Sequence, residues 1–129
     1  MHARAARSYQ NVDLESAPKT QILERLFARF ARDCSDAERA IGAKDLAAKG
    51  KAIDHASSII VQLRGALDHA AAPELTANLD RLYLWVSEQL ALANLKQNVK
   101  QLKEAAKVMA SLGDAFAKAH LKLQYGPHK

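Results

Sequence analysis

Cysteine, glycine, proline and aromatic residues are all scarce in this chain of 129 residues. The single cysteine, Cys34, excludes an internal disulfide, and its place in the apolar phase of a helix predicts a small buried side chain. Only 5 glycines and 3 prolines interrupt the chain, and β-branched residues are sparse, so the composition favours helices over sheet. Aromatic residues make up 5% of the chain and hydrophobic residues 49%, which predicts an aliphatic, alanine-rich core.

Long hydrophobic segments are absent as well. No apolar run approaches the ~20 residues that a helix needs to cross a bilayer, so we predict no membrane insertion. The Arg-rich N-terminus lacks the apolar region of a secretory signal peptide, and the predicted compartment is therefore the cytoplasm. The length corresponds to about one domain, which is large enough to bury a core of its own.

The sequence also lacks the motifs that mark common catalytic and metal sites. It has no glycine-rich phosphate loop and no nucleophile elbow. A di-iron bundle site needs a histidine three residues after a glutamate, and no histidine follows in this way after Glu24, Glu38, Glu88 or Glu104. The five histidines share no helix turn. We therefore predict that the protein is not an enzyme and that it has no metal and no cofactor.

Apolar residues recur at helical spacing in four segments of the chain. Pro18 opens the first of these helices, and Gly42 ends it in the manner of a C-terminal glycine. Asp45 is the predicted N-cap of the second helix, and Pro73 opens the third. The fourth helix is predicted from about residue 98 to residue 123.

Four long amphipathic helices with short connections predict an all-α fold, an elongated antiparallel four-helix bundle over residues 17–124. Residues 1–16 lack sustained periodicity and are predicted to form a short mobile or helical N-terminal segment. Residues 125–129 contain Gly126 and Pro127, and we expect this tail to fray.

The predicted third helix carries more apolar surface than one bundle helix needs. A single stripe at helical spacing consists of Leu75, Leu79, Leu82, Tyr83, Val86, Leu90 and Ala93. Leu84, Trp85 and Leu92 fall outside this stripe, and we expect them on the opposite side of the same helix. A second apolar face needs a cover, which is a further helix, a mobile terminal segment or a partner chain.

Basic residues outnumber acidic ones, 19 to 14, and the net charge is +5. Lysines at every third or fourth position predict a basic ridge opposite the apolar stripe of the fourth helix: Lys96, Lys100, Lys103 and Lys107. The ridge is either a solvated outer face or a contact for an anionic partner. Because no aromatic residue is interleaved with these lysines for stacking, nucleic acid would bind weakly and without sequence preference, and it is not the predicted partner.

Several short motifs follow one another along nearly the whole chain. The first are Tyr9-Gln10 and Ser16-Ala17-Pro18. The middle of the chain adds Ala40-Ile41, Asp45, Ala56, Ile59-Ile60, Leu63 and Leu67-Asp68. The most specific element is Asn78-Leu79, Leu82-Tyr83, Leu90 and Ala93-Asn94. In this order and spacing the chain resembles the flagellar secretion chaperones called FliS. It departs from their usual pattern at two places. Ser16-Ala17-Pro18 stands where the family has Ala-Ser-Pro, and Phe116 stands where a tryptophan is common.

The resemblance implies a cytoplasmic export chaperone for flagellin. Such a protein binds the disordered C-terminal segment of flagellin, prevents its premature polymerisation and helps to deliver it to the flagellar export apparatus. The fold that the resemblance implies is an elongated antiparallel four-helix bundle. Its short N-terminal segment can lie over part of the binding surface and be displaced by the client, which makes Tyr9 the candidate lid residue.

The candidate client-binding residues lie on the predicted third helix. Leu84, Trp85 and Leu92 form the expected wall of a groove for an amphipathic client helix. Tyr83 and Asn94 belong to the family's most specific motif and are expected to border that groove. The alternatives are a core position for Tyr83 and a cap at the end of the helix for Asn94.

Two other functions remain open at this point. One is a structural or regulatory helical protein that self-associates through the Trp85 face. The other is a weak nonspecific nucleic-acid binder that uses the lysine ridge. For the chaperone we expect a monomer or a weak homodimer.

Overall fold

The computed structural model describes residues 17–125, with side chains described for residues 20–119. This part of the chain forms four helices and no strand: α1 (Ala17–Gly42), α2 (Leu46–Gly65), α3 (Pro73–Lys96) and α4 (Val99–Tyr125). The predicted all-α class is therefore confirmed. The predicted N-terminal segment 1–16, including Tyr9, and residues 126–129 of the predicted tail lie outside the described residues.

The helices pack as a four-membered ring. α1 packs against α2 and α4, and α3 packs against the same two neighbours. Short connections reverse the chain between successive helices, so neighbours run antiparallel. Helices of 20 to 27 residues are about 30 to 40 Å long, and this length makes the bundle elongated. The predicted architecture is confirmed.

The α1–α2 and α3–α4 connections share one backbone arrangement. A residue in the left-handed conformation is followed directly by the N-cap residue of the next helix. Lys44 has a φ of 60°, and its amide donates to the carbonyl of Ile41 while the Asp45 amide donates to that of Ala40. These two bonds are those of a Schellman motif. Asp45 then accepts a bond from the Ala48 amide with its side chain, so the predicted N-cap is confirmed.

The sequence did not indicate which residues take the left-handed conformation in these connections, because neither of them is a glycine. Gly42 is the last residue of α1, as expected, but Lys44 adopts the conformation that glycine favours. In the α3–α4 connection this residue is Gln97, with a φ of 55°. Asn98 follows it and accepts a bond from the Lys100 amide at 2.9 Å, so Asn98 precedes α4 as its cap.

The core is aliphatic, as predicted. Its largest fully buried side chains are Phe30, Ile59, Ile60, Leu90, Leu102, Met109 and Val86. Cys34 lies among them, and burial together with the neighbouring Asp33 carboxylate raises the pKa of its thiol to about 12. The thiol is therefore protonated at neutral pH and behaves as a small hydrophobic group, in agreement with the sequence. None of the described helices combines the length and hydropathy that a bilayer span requires.

Near the two ends of α3, the structure contradicts the expected position of Leu75 and the alternative given for Asn94. Leu75 belongs to the predicted inward stripe but is 58% exposed, because it lies in the first turn of the helix, near the end of the bundle. Asn94 does not cap the helix, which continues to Lys96 and ends at the left-handed Gln97. Asn94 instead offers its backbone carbonyl to the Nζ of Lys49 at 2.9 Å, which ties α3 to α2.

Candidate binding site

An apolar groove runs between α3 and α4 and includes the only tryptophan of the chain. We call it the tryptophan groove. Its volume is about 740 Å³, and its lining consists of Leu82, Trp85, Glu104, Lys107, Val108, Ser111, Leu112 and Ala115. Val108, Leu112 and Ala115 recur at helical spacing and form a continuous wall on α4. Leu82 and Trp85, one turn apart, form the wall on α3.

Trp85 does not share a face with Leu84, contrary to the sequence expectation. The indole is half-buried and packs against the core, whereas Leu84 is 42% exposed on the outer side of α3 with Leu95. Successive residues of a helix are turned by about 100°, so a side chain next to Trp85 in sequence points well away from it. Leu92, two turns after Trp85, is also half-buried and lies on the same side of the helix as the indole.

A second apolar cavity, the end pocket, opens at the end of the bundle where α1 and α3 begin. Its volume is about 260 Å³. The lining consists of Leu23, Phe27, Leu63, Ala66, Leu67, Asp68, Ala71, Ala72, Thr76, Leu79, Tyr83, Leu112 and Phe116. All four helices and the α2–α3 connection contribute to it. Leu112 lines both the end pocket and the tryptophan groove, so the two apolar surfaces are contiguous.

Aromatic side chains form one wall of the end pocket. The rings of Phe27 and Phe116 are tilted by 33°, and their centroids are 6.0 Å apart, within the range of favourable aromatic pairs. Tyr83 is buried at 4% exposure, and this burial raises the pKa of its hydroxyl to about 12. The core alternative for Tyr83 is thus confirmed, but the same ring also borders the pocket.

The end pocket lies close to the start of the described chain. Leu23, one of its lining residues, follows Ala17 within roughly two turns of α1. α1 therefore begins at the end of the bundle where this pocket opens. Sequence reasoning missed the pocket, because it depends on residues from all four helices that are separated along the chain.

The predicted basic ridge is exposed along its length. Lys96 is the last residue of α3, while Lys100, Lys103 and Lys107 follow one another on α4. Lys103 forms an ion pair with Glu38 of α1 at 3.7 Å. Lys107 alone of the four lines the tryptophan groove. The ridge therefore meets the apolar surface at one point only.

An ion pair supports the α2–α3 side of the end pocket. Arg64 donates from Nε to one oxygen of Asp80 at 2.7 Å and from a terminal nitrogen to the other at 3.3 Å. These hydrogen bonds lower the pKa of the Asp80 carboxyl and raise the pKa of the Arg64 guanidinium. Within the part of the chain that the structure describes, no three histidine, cysteine or acidic residues come together as metal ligands would.

Comparison with known proteins identifies relatives along almost the whole chain. The family model described as flagellar protein FliS matches residues 1–123. The flagellar secretion chaperone FliS of Salmonella typhimurium LT2 is 28% identical over 119 residues, which cover 88% of each chain. That of Escherichia coli K12 is 28% identical over 124 residues, 92% of this chain and 91% of the relative. Flagellar secretion chaperone FliSB of Pseudomonas aeruginosa is 30% identical over 110 residues, 82% of this chain and 87% of the relative.

Proposed function

The chain belongs to the FliS family of flagellar proteins, and on this premise we propose that it is an export chaperone that binds the C-terminal segment of flagellin. In this role it keeps flagellin from polymerising in the cytoplasm and helps to deliver it to the flagellar export apparatus. The work is done by binding rather than by catalysis. The names of the curated relatives, all secretion chaperones, support this proposal.

The observation that carries the proposal is the contiguous apolar surface of the tryptophan groove and the end pocket. Trp85, Leu112 and Phe116, which line these surfaces, pack against the edge of the aliphatic core and stay partly open to water. Apolar surface that is open to water beyond a filled core is typical of protein–protein contacts. A groove between two helices suits an amphipathic client helix with apolar anchors at i, i+3, i+4 and i+7.

A disordered client must recover the entropy that it loses on ordering, and buried apolar side chains supply this free energy. Each leucine-sized side chain that leaves water contributes about 1.5 to 3 kcal/mol. In our proposal, one client helix lies against Trp85 and Leu92, and its neighbouring anchors enter the end pocket beside Tyr83. Leu84, on the outer side of α3, contacts a client that continues around this helix.

Asn94 and the lysines complete the proposed site. Asn94 lies two residues before the end of α3, on the same helix as Trp85. Lys107 is at the edge of the tryptophan groove, and Lys103 is one turn away, so both can attract an acidic client segment. Lys96 and Lys100 lie further away, at the α3–α4 connection, and can extend the attraction over a longer range. Binding that does not change with salt concentration would remove the lysines from this mechanism.

Tyr9 is the proposed lid residue. In the free protein its ring occupies the end pocket, and the client displaces it. The place where α1 begins supports this assignment, because Ala17 lies within roughly two turns of Leu23, which lines the pocket.

Calorimetry with a purified C-terminal flagellin peptide tests the proposed function. We expect binding with a negative heat-capacity change and a loss of at least roughly ten-fold in affinity for Trp85→Ala. Val61→Ala is the matched control, because Val61 is exposed on α2 and lines neither apolar surface. No binding by the wild-type protein, or equal affinities for the two variants, would contradict the proposal.

Light scattering separates the chaperone from the self-association alternative. The chaperone is expected to be a monomer or a weak homodimer whose Trp85 is accessible to the client. A stable dimer at all concentrations, with Trp85 protected from quenchers, would support self-association through the tryptophan face instead.

A further inference from the structure

A third groove lies on the α1–α2 face, across the bundle from the tryptophan groove. Its volume is about 550 Å³, and its lining consists of Ile22, Arg25, Leu26, Ala28, Arg29, Arg32 and Gln62. The three arginines recur at i, i+4 and i+7 and therefore form one row on α1. We call this surface the arginine groove.

The arginine groove carries three guanidinium groups and no carboxylate along its lining. Arg29 donates from Nε to Asp33 at 3.2 Å, and this aspartate is itself buried and also contacts the Nδ1 of His55 at 2.5 Å. Arg25 and Arg32 are exposed and form no hydrogen bond or ion pair with another described residue. Two cations are therefore available to a ligand, and a third is held in position by a buried acid.

The floor of the arginine groove is apolar. Ile22 and Leu26 are half-buried and pack against the core, one turn apart on α1. A guanidinium group binds a carboxylate through two parallel hydrogen bonds, and it is less strongly hydrated than an ammonium group. Arginines beside an apolar floor therefore suit a peptide that presents carboxylates next to aliphatic side chains.

The surroundings of the groove favour such a peptide over nucleic acid. Arg29 and Arg32 also line the adjoining groove of the α1–α2 face, whose charged residues are of both signs: Arg39, Lys51, Asp33, Asp36, Asp45 and Asp54. A phosphate backbone needs an extended surface of one sign, and this mixture of charges interrupts it. The lining of the arginine groove also has no aromatic residue on which a base could stack.

We propose that the arginine groove docks an acidic, amphipathic segment of a second partner protein. The face between α1 and α2 is opposite the face between α3 and α4, because each of these helix pairs forms one side of the four-membered ring. The second partner can therefore bind while the tryptophan groove holds its client. This docking does not depend on the identity of that client.

A synthetic probe tests the docking directly. The probe is a fluorescein-labelled helical peptide of Glu, Leu and Ala, with Glu at i, i+4 and i+7 and Leu on the adjacent phase. Its binding to the full chain is followed by fluorescence anisotropy. We expect Arg25→Glu/Arg32→Glu to weaken binding by at least about ten-fold.

The matched control is Arg81→Glu/Lys118→Glu, which changes the net charge equally at exposed positions of α3 and α4. This variant should bind the probe within about two-fold of the wild type, because it leaves the groove intact. Equal losses in both double variants would overturn the proposal, since net charge alone would then explain the binding. Tighter binding of a fluorescein-labelled DNA oligonucleotide than of the peptide would overturn it in favour of nucleic acid.

The same variants distinguish this docking from the proposed chaperone function. Circular dichroism confirms that both double variants are folded. Arg25→Glu/Arg32→Glu should retain wild-type affinity for the flagellin peptide while losing the acidic probe. Loss of both ligands together would show that the arginine groove is not a separate site.

Discussion

Gly113 of α4 lies directly against the ring of Phe27 of α1. A Cβ atom at position 113 would be 3.3 Å from both Cβ and Cγ of Phe27, closer than nine in ten real Cβ contacts. The ring also packs against Phe116 and lines the end pocket. The missing side chain at position 113 therefore allows α1 and α4 to approach and gives the pocket its aromatic wall.

Gly113→Val should lower the free energy of unfolding by roughly 1 to 3 kcal/mol, because the added methyl groups displace Phe27. Gly50→Ala is the matched control, since a Cβ at this position of α2 meets no atom within 4 Å. It should raise the stability by about 0.5 to 1 kcal/mol through helix propensity. Urea unfolding measures both changes, and a stabilising Gly113→Val would show that Phe27 adapts freely.

Lys44→Gly and Gln97→Gly should each stabilise the fold by about 0.5 to 1 kcal/mol. Both residues have a positive φ, which costs an L-amino acid more than it costs glycine. Ala47→Gly, in the first turn of α2, is the control and should be destabilising, because that backbone is right-handed. Thermal unfolding followed by circular dichroism gives the changes, and a lower melting temperature for Lys44→Gly would refute the strain argument.

Lys49→Ala should cost about 1 to 3 kcal/mol of stability. Lys49 is buried, at 6% exposure, and its ammonium group donates to the Asn94 carbonyl near the C-terminal, negative end of the α3 dipole. Asn94→Ala keeps that carbonyl, so its stability should stay within roughly 0.5 kcal/mol of the wild type. Chemical unfolding of both variants checks the contrast. A large loss for Asn94→Ala would mean that its side chain, and not only its backbone, supports the fold.

The Arg64–Asp80 pair predicts a pH dependence of stability. The hydrogen bonds from Arg64 hold the pKa of the Asp80 carboxyl below its ordinary value of 3.8. The unfolded state therefore takes up a proton first as the pH falls, and the contribution of the pair is complete above pH ~4 and disappears at lower pH. The difference in unfolding free energy between wild type and Asp80→Asn should shrink between pH 6 and pH ~3. If this difference stayed constant over the range, the Arg64–Asp80 pair would not be a source of the pH dependence of stability.

Removal of residues 1–15 should raise the rate at which the flagellin peptide associates. If Tyr9 occupies the end pocket, it competes with the client for the same site. The client can bind only while Tyr9 is out of the pocket, and this lowers the apparent association rate. Tyr9→Ala should reproduce most of the effect, whereas Gln10→Ala should not. Stopped-flow measurements of Trp85 fluorescence give these rates. Unchanged kinetics in the truncated chain would argue against the lid.

Much of the fold could be predicted because its signals are local. Helical periodicity, Pro18, Gly42, Asp45 and Pro73 together indicated four helices with bounds within a few residues of those observed. The exceptions are instructive. Lys44 and Gln97 take the left-handed position without being glycine, since the following N-caps and the short connections require it there.

The binding surface was only partly predictable. The sequence showed that Trp85 lies outside the main apolar stripe of the third helix. It was wrongly expected on a face that it shares with Leu84, opposite the core. The pocket beside Phe27 and Gly113 was not anticipated at all, because these residues are far apart in the chain and meet only when α1 packs on α4.

The four amphipathic helices, their order and the aliphatic character of the core could all be inferred from the amino-acid sequence. Each of these follows from the spacing of side chains along one helix or from composition. Which apolar side chains remain open to a partner depends instead on how the helices pack. A residue at the border of a stripe, such as Trp85, is covered or left accessible by the neighbouring helix, and that depends on how α3 and α4 pack together.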